Sequence, residues 1–179
     1  MARAGPAFPA PRPGLQAGLV KWVAGREIHR VHGASYESTE FNDSAKGNSR
    51  FSPIENAKGN MIPTLYGGST FDCAAMETVF RDIPYAPGFK TFDKDKLKDK
   101  SVSVISPARD LNLVDLSGKA LRKLGISRLQ LIDSDAAAYP YTRPWAAALH
   151  AQCQKADGLV WVSRQDDEAR AMILFGDRM

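Results

Sequence analysis

Apolar and polar positions alternate most clearly at Ile28-His29-Arg30-Val31-His32. The period of two predicts a strand with Arg30 and His32 on one face and His29 and Val31 on the other. A polar loop covers 33–48, and two short β-like runs follow, SRFSPI at 49–54, closed by Pro53, and MIPTLYGG at 61–68, ended by two glycines. Ser69 then predicts the N-cap of an amphipathic helix, with Asp72 at capping-box spacing and Pro84 as its stop. The stretch KTFDKDKLKDK at 90–100 alternates charge without an apolar face and predicts a solvated connector or a short exposed helix. Beyond it lie β-like runs at 101–106 and 111–116 and a short helix from Ser117 to Gly125. A longer helix is entered at Pro144, and two final strands, 158–163 and 169–175, are joined by the acidic turn RQDDE.

Strands lead, helices occupy the middle and strands close the chain, which is an α+β order rather than a regular βαβ alternation. The 179 residues suit one domain. Residues 1–26, with their Pro-rich start, read as a flexible tail, and 27–179 as the domain body. The formal charge of +4 comes from Arg3, Arg12, Lys21 and Arg26, which no acid accompanies in that tail, while the body is balanced. A direct nucleic-acid role is therefore disfavoured. No apolar run is long enough for a membrane helix. Two cysteines, Cys73 and Cys153, in helix-like segments suit a reduced, cytoplasmic protein.

Glu77 is the anomaly of the first helix. Its neighbours three and four apart are Cys73, Ala74, Phe80 and Arg81. An unpaired buried carboxylate is costly, so Glu77 must meet a cation or donor, or line a pocket. Arg30 and Arg50, both in strand contexts, are candidate partners, and a buried Arg–Glu pair that only specifies packing is the plain alternative. Gly67-Gly68-Ser69-Thr70 precedes a helix and offers an anion cradle, although Ser69 already explains itself as a cap. Tyr66 ends its strand and is either a flat surface for an aromatic ligand or a core tyrosine. His29 and His32 fall on opposite faces, so no metal site is expected from them; His150 and Cys153 are three apart but lack further ligands. No Gly-x-Ser-x-Gly nucleophile elbow is present.

The order of these motifs resembles the RES domain family of bacterial NAD-degrading proteins, named for an Arg, a Glu and a Ser. The likeness runs from about Glu27 to Gly176. Arg30 in HRVHG, Arg50 in GNSRFSPI, Tyr66 in TLYGG and Glu77 in AAMETVF match the family's positions, and the Ser fits best at Ser163 in GLVWVSRQDD. Thr142 in YPYTRPWA stands at another position where members present a hydroxyl. The resemblance implies an ADP-ribosyltransferase-like fold with two packed β-sheets and flanking helices around a cleft. It implies cleavage of the nicotinamide–ribose bond of NAD+, with phosphate or water as acceptor and no cofactor beyond these substrates. It further implies a toxin held in check by a helix-turn-helix antitoxin, with a homo-oligomer among the expected assemblies. Glu77 would stabilise the oxocarbenium-like ribose, Arg30 and Arg50 would hold phosphate oxygens, Tyr66 would stack on nicotinamide, and Ser163 or Thr142 would supply the site hydroxyl. Two other readings stay open: ADP-ribose transfer to a macromolecule, and a non-catalytic binding module in which Arg30–Glu77 is a structural pair.

Overall fold

The computed structural model describes residues 8–81, 83 and 87–179. Its strands are β1 (Leu19–Trp22), β2 (Ile28–Gly33), β3 (Thr64–Gly68), β4 (Lys100–Ile105), β5 (Leu111–Asp115), β6 (Gly158–Val162) and β7 (Arg170–Phe175). They form one seven-stranded sheet in the order β1-β5-β6-β7-β3-β2-β4. Every pairing is antiparallel except β5 with β6. A parallel pair needs a long crossover, and here it carries α2 (Gly118–Leu124), α3 (Arg128–Leu131) and α4 (Tyr139–Gln152). The fourth helix, α1 (Phe71–Thr78), follows β3 directly. The class is α+β, as the element order predicts.

The central strands β6 and β7 are buried on both faces, which is why they read as nearly continuous apolar runs. On one face Leu159, Trp161, Ala171, Ile173 and Phe175 pack with Leu121, Leu124, Leu131, Trp145 and Leu149 of the helices. On the other face Val160, Met172 and Leu174 join Leu113, Leu65, Ile28 and Trp22, with Ile105 packed against them. That second cluster contains residues from β1 and β4, the two ends of the sheet, so the sheet curls until its ends share one core. A single curled sheet thus replaces the two packed sheets that were expected.

The sheet has a seam. β2 pairs with β4 over its whole length and β3 pairs with β7 over its whole length, yet β2 and β3 share one ladder pair, His29 with Gly68. Beyond it the strands diverge, and the intervening chain enters the gap, with Asn42 pairing Thr64 on β3 instead. Gly67 and Gly68 permit the tight packing at the closed end of the seam. A Cβ at Gly67 would lie 2.4 Å from Ile28 Cγ2, and one at Gly68 would lie 2.9 Å from the Ala74 amide nitrogen of α1.

Several local expectations are corrected. Thr70, not Ser69, caps α1, its hydroxyl accepting from Cys73 N–H at 3.1 Å. Ser69 extends the β3–β7 ladder: its N–H donates to Arg170 O, and its hydroxyl accepts from Arg170 N–H. The expected stop at Pro84 lies outside the described residues, and α1 ends at Thr78. Residues 49–54 form a turn rather than a strand, with bonds from Ser49 N–H and hydroxyl to Ser52 O. Phe51 is nonetheless fully buried there, and truncating it to Ala would cost about 3–5 kcal/mol. α4 begins at Tyr139 with Pro140 in its first turn and Pro144 inside it; a first-turn proline leaves no helical bond unmade. In the stretch 1–26, expected as a flexible tail, residues 19–22 form an edge strand against β5. Among the described residues no helix is long and apolar enough to cross a membrane.

Candidate functional site

A cleft of about 750 Å³ opens along the seam. Arg30–Gly33 of β2 form one wall and Thr64, Tyr66 and Gly67 of β3 the opposite one. Ala74, Glu77 and Thr78 of α1, the turn at 48–50, Tyr139, Trp161 and parts of 91–100 complete it. The divergence of two strands therefore creates the site, and α1 aims its last turn into it. Four of the six sequence-predicted residues, Arg30, Arg50, Tyr66 and Glu77, line this one cleft.

Glu77 is half-buried, and its Oε1 accepts two bonds: from the Ser163 hydroxyl at 2.7 Å and from the Arg164 N–H at 3.1 Å. Ser163 is fully buried at the end of β6, accepts in turn from Gln165 N–H, and does not itself line the cleft. Its place is behind the carboxylate. Cys73, one helical turn before Glu77, is pushed up to about 12 by burial first and by the Glu77 charge second. It remains a thiol, a small apolar neighbour rather than a nucleophile.

The arginines are engaged differently. Arg30 is buried and its guanidinium donates to the backbone carbonyls of Glu37, Ser38 and Glu40, closing the loop that enters the seam. Among the described residues its buried Nε–H has no hydrogen-bond partner. Burial lowers its pKa and the Glu40 charge opposes that shift. Arg50 donates to Leu131 O at 3.1 Å and to the hydroxyl and carbonyl of Ser134, each at 2.9 Å. Burial lowers its pKa as well, opposed by Tyr139, Glu77 and Tyr66. Among the described residues neither arginine forms an ion pair with Glu77, so the structural Arg30–Glu77 pair is not what the fold contains.

Tyr66 stands edge-on to Trp161, with ring centroids 6.4 Å apart. Its hydroxyl accepts from Phe51 N–H at 3.0 Å and from the Ser49 hydroxyl at 3.1 Å, which ties the 49–51 turn to β3. Burial raises its pKa. Thr142 is fully buried, donates to the Arg50 carbonyl and does not line the cleft. Of the two candidate hydroxyls, Ser163 touches the carboxylate and Thr142 braces the backbone of Arg50.

The cleft lining mixes charges: Arg30, Lys46, Arg50, Arg81, Lys96 and Lys100 against Glu40, Glu77, Asp93, Asp95 and Asp99. The acidic turn 165–168 is absent from the lining. The 90–100 connector contributes a whole wall, with Phe92 packed on Phe80 at 4.9 Å. The proposed anion cradle at 67–70 contributes only Gly67. Sequence reasoning missed Trp161, whose fully apolar run reads as core, and Tyr139, which lies between two guanidiniums, Arg50 and Arg81, at 5.5 and 5.8 Å. It weighed His32 only as a metal ligand. That residue lines the cleft with Nε2 at 2.8 Å from the Ser103 hydroxyl and Nδ1 at 3.0 Å from Gly33 O. Among the described residues no three His, Cys, Asp or Glu side chains are grouped to hold a metal ion, and His150 is engaged by Asp177 at 2.9 Å.

Comparison with known proteins adds one match. The RES domain model fits residues 27–179, nearly the whole chain. No curated protein and no solved structure matches it.

Proposed function

The chain belongs to the RES domain family, and from that premise we propose that it is an NAD+-degrading enzyme that cleaves the nicotinamide–ribose bond. The family is associated with NAD-related enzymatic toxins, and the cleft supports the specific reading. Its volume lies within the range of small-molecule sites, about 300–1,000 Å³. The observation that carries the proposal is Glu77 held at the cleft wall by Ser163 and the Arg164 N–H. Two donors on Oε1 fix the direction of the carboxylate.

Departure of nicotinamide leaves positive charge on the ribose ring, and a fixed carboxylate stabilises that charge as it develops. Ser163 acts on Glu77 rather than on substrate. Arg30 holds the loop with its terminal nitrogens and adds positive charge to the cleft wall, and Arg50 contributes positive potential next to the carboxylate. Tyr66 and Trp161 supply the aromatic wall for nicotinamide. Phosphate or water then attacks the anomeric carbon. The ADP-ribosyltransferase likeness belongs to the same proposal, supported by the seam that divides β2–β4 from the other five strands. A toxin role in the cytoplasm, restrained by a helix-turn-helix partner, follows from the family reading alone.

The test is incubation of the full chain with NAD+, with and without inorganic phosphate, following nicotinamide release. We expect release in both arms or only with phosphate, with ADP-ribose 1″-phosphate or ADP-ribose identifying the acceptor. No release from folded protein overturns the proposal, and ADP-ribose appearing on an added macromolecule would transfer it to the macromolecular reading.

A further inference from the structure

Residues 8–15, FPAPRPGL, run along the outside of α4 and meet it at three points. Phe8 stacks on Tyr141 with centroids 4.8 Å apart and planes 7° from parallel. The Trp145 indole N–H donates to Pro9 O at 2.8 Å. The Gln152 amide makes a two-way clamp, donating to Arg12 O at 3.1 Å and accepting from Leu15 N–H at 2.8 Å.

This chemistry matches what a proline-rich chain can offer. Prolines at 9, 11 and 13 have no N–H, so the carbonyls are the main handles on such a backbone. The strip answers with donors, an indole and an amide, and with a flat ring. Spacing agrees as well. Trp145 and Gln152 are seven residues apart, about 10 Å along a helix. The carbonyls they bind are three residues apart, about 9 Å along a polyproline-type segment. Indole donors and aromatic faces are the general means of binding proline-rich segments. Leu15 then packs against the main core and anchors the end of the segment.

We propose that the strip Tyr141–Trp145–Gln152 is a recognition site for an extended proline-rich segment, filled by the chain's own residues 8–15 and open to exchange with an external segment of the same chemistry. The same helix presents Tyr139 to the cleft, braces Arg50 through Thr142 and holds the 48–49 turn through Arg143, which donates to Ser49 O and Asn48 Oδ1. An occupant of the strip therefore binds the helix that supports the cleft.

The experiment follows hydrogen exchange of the Leu15 amide and the Trp145 indole by NMR on the isotopically labelled full chain. We expect both to exchange slowly. Gln152→Ala, an exposed position, should speed Leu15 exchange at least tenfold without changing the fold. An excess of unlabelled peptide FPAPRPGL should speed it in the unaltered chain, while a version with alanine at all three prolines should not. Unchanged exchange in Gln152→Ala, or equal competition by the proline-free peptide, overturns the proposal. Rates independent of protein dilution support docking within one chain, and acceleration on dilution overturns it. None of these readouts depends on NAD+ turnover, so the proposal stands or falls apart from the enzymatic one.

Discussion

Glu77 and the two cleft arginines are all charged groups brought to one cavity, yet the fold treats them in opposite ways. Glu77 is held from behind by the β6–β7 turn, through a buried hydroxyl and one backbone N–H. Arg30 instead donates to the carbonyls of the 37–40 loop, and Arg50 to the end of α3 and to Ser134 beyond it. The carboxylate is fixed in direction at the cleft wall, while the arginines organise the walls around it. The difference teaches that removing one charge should damage chemistry and removing the other should damage structure.

That contrast can be broken most sharply at Glu77. Glu77→Gln keeps the shape and the Ser163 contact but removes the negative charge, and we expect nicotinamide release to fall by about a thousandfold or more, with unfolding unchanged in a denaturant titration. A rate within tenfold of the original would end the assignment. Ser163→Ala comes next. Loss of one charge-assisted hydrogen bond, about 1.5–3 kcal/mol, corresponds to roughly tenfold to a hundredfold in kcat. KM should be little affected, because Ser163 is not in the cleft lining. An effect on KM alone would place its hydroxyl on the substrate.

For the arginines the order reverses. Arg50→Lys cannot reproduce a fork with three bonds to Leu131 and Ser134, and we expect a stability loss of about 2–3 kcal/mol, read from the denaturation midpoint. A full-stability Arg50→Lys that has lost all turnover would show that Arg50 serves substrate first. The smallest effect concerns His150, remote from the cleft. Burial lowers its pKa, joined by the Arg178 charge and opposed by Asp177. A base whose folded pKa is lowered contributes stability above its unfolded value, near 6.5, and loses it as pH falls through that value toward the folded one. The unaltered chain should therefore lose more stability than His150→Gln between neutral pH and about pH 5, and identical slopes would remove His150 from the account.

Much of this site was legible in the amino-acid order, for reasons that particular residues make plain. A carboxylate among Cys73, Ala74 and Phe80 announces an unusual environment whatever the fold, because burial of charge needs compensation. Alternation at 28–32 and the paired glycines at 67–68 mark β2 and the end of β3 through local geometry alone. Other features leave a signal that went unread: Ser127 and Gln130 form a capping box that announces α3. The short β1 carries little alternation, and only β5 beside it makes Leu19–Trp22 a strand.

By itself the sequence determined the α+β order, the identity of the charged groups and, through the motifs shared with a family, their membership of one site. Only the tertiary structure decided that the strands join in one curled sheet rather than two, and that β2 and β3 part after a single pair to open the cleft. It also decided that Ser163 stands behind Glu77, 86 residues away in the chain, and that Thr142 braces Arg50 from 92 residues away. The physical reason is common to all of these. Local pattern records which face of an element avoids water, but a hydrogen bond between distant residues depends on how elements pack, and no periodicity encodes it.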